Sequence, residues 1–151
     1  MSSNLPLVIT RPKTQGLQLQ QALQKHAINA CCQPLLDYEQ STSSQEIAHI
    51  QANFKPAIVI FISKAAVKYA NRALALANWL EPNTQVIAVG QTTQQALARL
   101  NIHALCPQTH DSEGMLALPA LATEKLQNKP NILIVRGDGG RELLATELNR
   151  R

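Results

Sequence analysis

The sequence predicts an α/β protein with a parallel sheet covered by helices on both faces, and three observations carry that prediction. Short β-rich runs alternate with longer helical stretches along the chain, the order expected of strands joined by helical crossovers. The runs are apolar throughout rather than alternating, as in strands buried on both sides. Hydrophobic residues make up 45% of the chain but aromatic ones only 3%, so the core is built from Ala, Leu, Ile and Val. At 151 residues the chain has the size of one domain, or one plus part of a second. Only 16% of residues are charged, which excludes disorder as the main state.

The elements follow in order. LPLVIT (residues 5–10) reads as a buried strand ended by Arg11-Pro12. Residues 14–26 read as a helix with Leu17, Leu19, Ala22 and Leu23 mostly on one side, and residues 28–32 as a second short strand before Pro34. A polar stretch without periodicity is a connector, followed by a helix from about Ser43 to Asn53. From there the alternation is regular: a β-branched strand at 57–63, a helix over 64–80, a strand at 84–90 and a helix over 91–100. HALCP (103–107) is a weak strand, and residues 112–121 a helix that Pro119 must start, kink or break. A strand at 131–137 and a helix running to the last residue complete the series.

Two features of the pattern stand out. A final helix with no strand after it leaves a parallel crossover unfinished, and the connector cuts the first strand-helix-strand unit off from the rest. The expectation is therefore a flavodoxin-like α/β domain over residues 42–151 that lacks its last strand. Residues 1–35 would begin a second, incomplete α/β domain, with a linker at 36–41.

Fourteen Lys and Arg against ten Asp and Glu give a net charge of +4, which favours anionic partners. Five aromatic residues leave little for base stacking, and no basic tail is present, so nucleic acid is not the expected partner. The first residues lack the pattern of a signal peptide, and no run approaches a membrane span. Cys31, Cys32 and Cys106 form no disulfide framework and no CxxC metal pair, which points to a reduced, cytosolic compartment and to buried structural thiols. The four histidines show no metal spacing, and neither a GxSxG motif nor a nucleophile–histidine arrangement can be assembled.

In open parallel sheets, ligands bind outside the carboxyl ends of the strands, so the residues there are the candidates. They are Arg11 after the first strand, Ser63-Lys64 after the third, and Gly90 to Thr93 after the fourth. Asp111 to Gly114, with Ser112, follow the weak strand, and Arg136-Gly137-Asp138-Gly139 follow the last. Helices starting at that edge offer free N–H groups and a positive dipole end to a carboxylate or phosphate. Taken singly, Ser63, Thr93 and Ser112 are better read as helix caps or first-turn residues than as ligand contacts. Lys64, Lys68 and Arg72 form a basic stripe, with Ala66, Ala70, Ala73 and Ala77 facing the sheet. Lys68 and Arg72 read as a solvated face, whereas Lys64, at the helix mouth, opposes the dipole and asks for an anion. RGDGGR fits neither a P-loop nor GxGxxG.

Taken in order, VITRP, IVIFISKAAV, VIAVGQTTQQAL, SEGMLALPAL and ILIVRGDGGRELLATEL resemble the uroporphyrinogen-III synthase family over nearly the whole chain. The resemblance implies two α/β domains joined by a two-stranded linker, the first left early and completed by later chain. It also implies a cyclising hydro-lyase without cofactor or metal, closing hydroxymethylbilane to uroporphyrinogen III with inversion of the last ring and loss of water. Such a substrate carries eight carboxylates, which suits a basic domain with exposed N–H groups at its strand ends. By motif matching, Thr93 is the expected catalytic hydrogen-bonding residue, to substrate or to the departing water. Substrate would be bound by Arg11, Ser63, Lys64, Gly90, Thr93, Ser112, Gly137, Asp138 and Gly139, its carboxylates by Arg11, Lys64 and the backbone around Gly137 to Gly139. Family members with Thr-Ser-Pro correspond here to Ile62-Ser63-Lys64, so the serine is kept and the threonine lost. A tyrosine that the family places later has no counterpart among these residues. The expectation is a full-length, monomeric parent that carries the activity, with a 151-residue chain that turns over little and can form a strand-swapped dimer. The alternative is a non-catalytic flavodoxin-like module binding anions or nucleotides. A metal-binding receiver would need acidic residues where Thr10-Arg11 stand.

Overall fold

The computed structural model describes residues 5–109, 111–138 and 142–151, and of Ser112 the backbone alone. It divides into two compact units, Met1–Gln40 and Ser41–Arg151.

In the smaller unit, β1 (Leu7–Ile9) and β2 (Ala30–Cys32) pair in parallel, Leu7 opposite Ala30 and Ile9 opposite Cys32, with α1 (Lys13–Gln24) crossing between them. The helix does not bury the side that its leucines suggest. Leu17, Leu19 and Ala22 are exposed, and the stripe facing the strands is Gly16, Gln20 and Leu23, spaced i, i+4, i+7. The reason is a close approach: a Cβ on Gly16 would collide with Cys32 Sγ and stand 3.3 Å from the Arg11 carbonyl. Gln20 Nε2 donates to the Ala30 carbonyl at 3.0 Å, tying helix to strand. Ile9 is buried, but Leu7 and Val8 are about half exposed, so β1 is not covered on both faces as its composition predicts. Cys31 is exposed and Cys32 partly so, which corrects their reading as buried thiols; all three cysteines are free.

The larger unit holds β3 (Ile58–Phe61) at the centre of a parallel sheet, with β4 (Gln85–Ala88) on one side and β5 (Ile132–Val135) on the other. HALCP contributes a single parallel bridge, Leu105 to Ile87, on the outer side of β4. Across the three-stranded sheet the order is β4-β3-β5, so the first of its strands in the chain lies between the second and the third.

The side-chain period of two divides the core. Val59 and Phe61 point into one layer with Val67, Ala70, Leu74 and Leu97. Ile58 and Ile60 point into the other, with Met115, Leu121, Leu126 and Leu144. The first layer carries α2 (Ser44–Asn53), α3 (Lys64–Leu74), α4 (Leu76–Trp79) and α5 (Gln91–Ala98). The second carries α6 (Ser112–Leu116), a 3₁₀ turn (Pro119–Leu121), α7 (Thr123–Leu126) and α8 (Leu143–Arg150). Helices therefore cover both faces, and all four residues of β3 are buried.

Two predicted helices are broken, each for a local reason. The one expected over 64–80 stops at Ala75, which takes a left-handed φ of 49°. The Asn71 side chain accepts from the Leu76 amide at 3.1 Å, in place of a helical partner. Ala77 then lies beyond the break and is exposed instead of facing the sheet. The stretch 112–121 splits at Pro119, which opens the 3₁₀ turn. The start predicted near Ser43 holds as a capping box: Ser43 accepts from the Glu46 amide and Glu46 from the Ser43 amide.

Candidate functional site

Because the strands are parallel, their carboxyl ends share one edge of the sheet, and the register aligns them closely. Phe61 stands opposite Ala88 on one side and Val135 on the other. The backbone ladder continues one step further, with Ile62 N–H donating to the Val135 carbonyl and Val89 N–H to the Phe61 carbonyl, both at 3.1 Å. Ser63, Gly90 and Gly137 each follow two residues past the matched level, so the structure brings these three predicted residues to one line. The order of strands reverses between β3 and β5, so Ser63 and Gly137 stand at the switch point of the sheet, where doubly wound folds bind their ligands.

Each position has its own chemistry. The Ser63 hydroxyl caps α3 by accepting from the Ala66 amide at 3.1 Å, and the residue stays half-buried. Lys64 is the first residue of α3 and exposed, a cation where the helix dipole is positive. Gly90 begins α5 without a side-chain cap, and its carbonyl accepts from Thr93 and Gln94, each at 3.0 Å. The cap of α5 is thus Gly90 and not Thr93. Thr93 is 2% exposed, the buried polar side chain among the described residues. Gln94 Nε2 donates to the Ala104 carbonyl at 2.8 Å, holding the bridged segment beside β4.

Gly137 is exposed, and a Cβ added there would meet open space, so a ligand can approach its backbone. Asp138 beside it is exposed, and Gly139 lies outside the described residues. Asp111, not Ser112, caps α6, its carboxylate accepting from the Gly114 amide at 2.7 Å; Ser112 is the first helical residue. Arg11 belongs to the smaller unit, exposed and two residues past the Ile9–Cys32 pair.

Arg136 stands among the sequence candidates after the last strand but is assigned no ligand contact there. Arg136 is exposed immediately after β5, where the strand order reverses. The signal is an arginine closing an apolar strand, and strand order, which sequence does not reveal, gives it meaning.

No cluster of His, Cys, Asp or Glu among the described residues is suited to a metal ion. Burial pushes the Cys106 thiol up from its ordinary value, the direction of an unreactive thiol. The arrangement provides N–H groups, a hydroxyl and exposed cations, a set chemically suited to carboxylates.

Comparisons with known proteins agree on one family. Residues 18–151 match the family described as Uroporphyrinogen-III synthase HemD. A uroporphyrinogen-III synthase of Proteus mirabilis is 34% identical over 157 residues, a span covering 97% of this chain and 74% of that protein. One from Escherichia coli (strain K12) is 30% identical, covering 97% of this chain and 60% of its own length. Among solved structures, uroporphyrinogen-III synthetase from Helicobacter pylori 26695 superposes with a TM-score of 0.51 at 19% identity. That match covers 76% of this chain and 52% of the other and bears on the fold alone.

Proposed function

The chain belongs to the uroporphyrinogen-III synthase family, and from that premise we propose the reaction of the whole protein that carries it. It closes hydroxymethylbilane to uroporphyrinogen III in tetrapyrrole biosynthesis, as a cofactor-independent hydro-lyase. The pyrrole nitrogen lone pair expels the hydroxyl of the hydroxymethyl group, which leaves as water with one proton. The resulting electrophilic carbon bonds to the α-carbon of the last ring that already carries its bridge; that bridge bond then breaks and re-forms at the ring's free α-carbon, which gives up its proton, and the ring is thereby inverted. An electron-rich pyrrole needs little acid help to lose hydroxide, so the protein's task is to hold a flexible chain in the productive geometry.

The observation that carries this reading is the line of Ser63, Gly90 and Gly137 at the switch point of the sheet, flanked by exposed cations. The helix-start N–H groups with Lys64 bind substrate carboxylates, and Arg11, in the smaller unit, is a separate carboxylate contact. Gly137 lets the backbone approach the substrate, and Asp138, Gly139 and Ser112 are proposed as further substrate contacts. Thr93 donates its hydroxyl to the substrate or to the departing water. Three free cysteines support a cytoplasmic setting.

The test is a coupled assay in which a deaminase supplies hydroxymethylbilane and the oxidised products are separated into type I and type III isomers. The expected result is type III from the whole protein. Ser63→Asp should abolish it, because an aspartate still caps α3 while repelling a carboxylate. Type I alone from the wild type would return the chain to the anion-binding module.

A further inference from the structure

Lys64, Lys68 and Arg72 are all exposed on α3, one helical turn apart, and mark a cationic track of about 6 Å per step down the outer face of the helix. The track starts one residue from Ser63, at the crevice end. Among the described residues the ion pairs are Lys55–Glu81 and Glu147 with Arg150 and Arg151, so none neutralises it. Lys68 Nζ lies 5.8 Å from the Tyr69 ring, a contact that leaves its charge in place. No acidic residue occurs on α3, α4 or α5; α2, which also packs against α3, carries Glu46, whose carboxylate is engaged by the Ser43 amide and hydroxyl. Three like charges on one face repel each other, at a cost of tenths of a kcal/mol per pair on the order of exposed helix pairs. A helix that only needs solvation is better served by alternating signs.

We propose that Lys68 and Arg72 are substrate-capture residues, a cationic track that draws a multiply charged polycarboxylate onto α3 and hands its carboxylates to the Ser63 edge. The proposal rests on the function proposed above and extends it to two residues outside the crevice. A ligand with carboxylates spread along a flexible chain can engage cations one turn apart simultaneously, whereas a compact monoanion cannot. The track therefore favours the number of carboxylates over their exact placement, and it acts through long-range attraction that salt screens.

The test compares the full chain with two charge-matched double variants, Lys68→Gln/Arg72→Gln on the track and Lys125→Gln/Lys129→Gln in the layer across the sheet. An octacarboxylate porphyrin and a tetracarboxylate porphyrin serve as fluorescent probes. The expected result is tighter binding of the octacarboxylate by the wild type at low salt, and a loss of roughly three- to tenfold in the track variant only, vanishing near 0.5 M salt. Equal losses in both variants, no loss in the track variant, or no octacarboxylate binding by the wild type overturns the proposal. Isomer analysis of the whole protein reports separately on the reaction. Absence of type III with the track effect intact removes the synthase reading alone, and type III without a track effect removes this inference alone.

Discussion

Ser63 shows why a single side chain at a strand end is ambiguous until its surroundings are known. Its hydroxyl caps α3, which is sufficient reason for a serine there, and the register also sets it at the crevice. Ser63→Ala should cost about 1 kcal/mol of stability through the lost cap, whereas Ser63→Asp should keep the cap and lose carboxylate binding. Thermal melts beside binding titrations separate the two roles. Thr93 was legible as a polar residue near a helix start, but its burial was not, because Gly90 two residues past β4 starts the helix instead. Thr93→Val preserves its shape, so the melting temperature should stay within a few degrees while type III formation falls roughly tenfold, the worth of one hydrogen bond. Unchanged turnover would assign the residue to packing.

Glu147 is a third residue with a measurable signature. Hydrogen bonds from Arg150 and then Arg151 hold its carboxyl at about 2, against an ordinary 4.5. Arg151 also donates to the Leu116 and Leu121 carbonyls at 2.8 and 2.6 Å, joining α8 to the turn below it. A folded value below the unfolded one means stabilisation that is complete above about pH 4.5 and lost as the pH falls toward 2. Protection factors of the α8 amides, corrected for the intrinsic pH dependence of exchange, should therefore fall between about pH 4.5 and 2 in the wild type, and the Glu147→Gln variant should show a flatter dependence. Equal pH dependence in the two proteins would contradict the assignment.

At the scale of elements, what the sequence showed well were the apolar strands and the helix starts with side-chain signals. IVIF is buried throughout as its composition demands, and Ser43 with Glu46 forms the capping box that their spacing suggests. What it concealed was local competition. Asn71 diverts a backbone hydrogen bond and ends a helix whose apolar spacing runs on past it, an event that periodicity cannot register. In α1 the leucines mislead, because Gly16 rather than a large side chain marks the close approach to Cys32. Gly16→Ala should destabilise the smaller unit by about 1–3 kcal/mol, since a Cβ there has no room. Faster amide exchange in β1 and β2 would report it, and unaltered protection would mean that the strands yield.

For the whole molecule, the α/β class follows from alternation alone, but the order of strands does not, since a crossover can turn to either side of the strand it leaves. That order decides the site. With β3 between β4 and β5, the reversal lies at Ser63 and Gly137, and the loop beginning at Arg136 gains a role that its sequence, neither P-loop nor dinucleotide fingerprint, did not disclose. The net charge of +4 fits an anionic substrate, and its distribution along α3 gives that balance a direction.

The central claim is that the carboxyl edge of the larger sheet receives the carboxylates of a tetrapyrrole. Amide chemical shifts of the labelled chain, titrated with an octacarboxylate porphyrin, test it most directly. The expected result is a set of saturating shifts at Ser63, Lys64, Gly90 and Gly137. Shifts confined to the opposite end of the sheet, around Gln85 and His103, would contradict it.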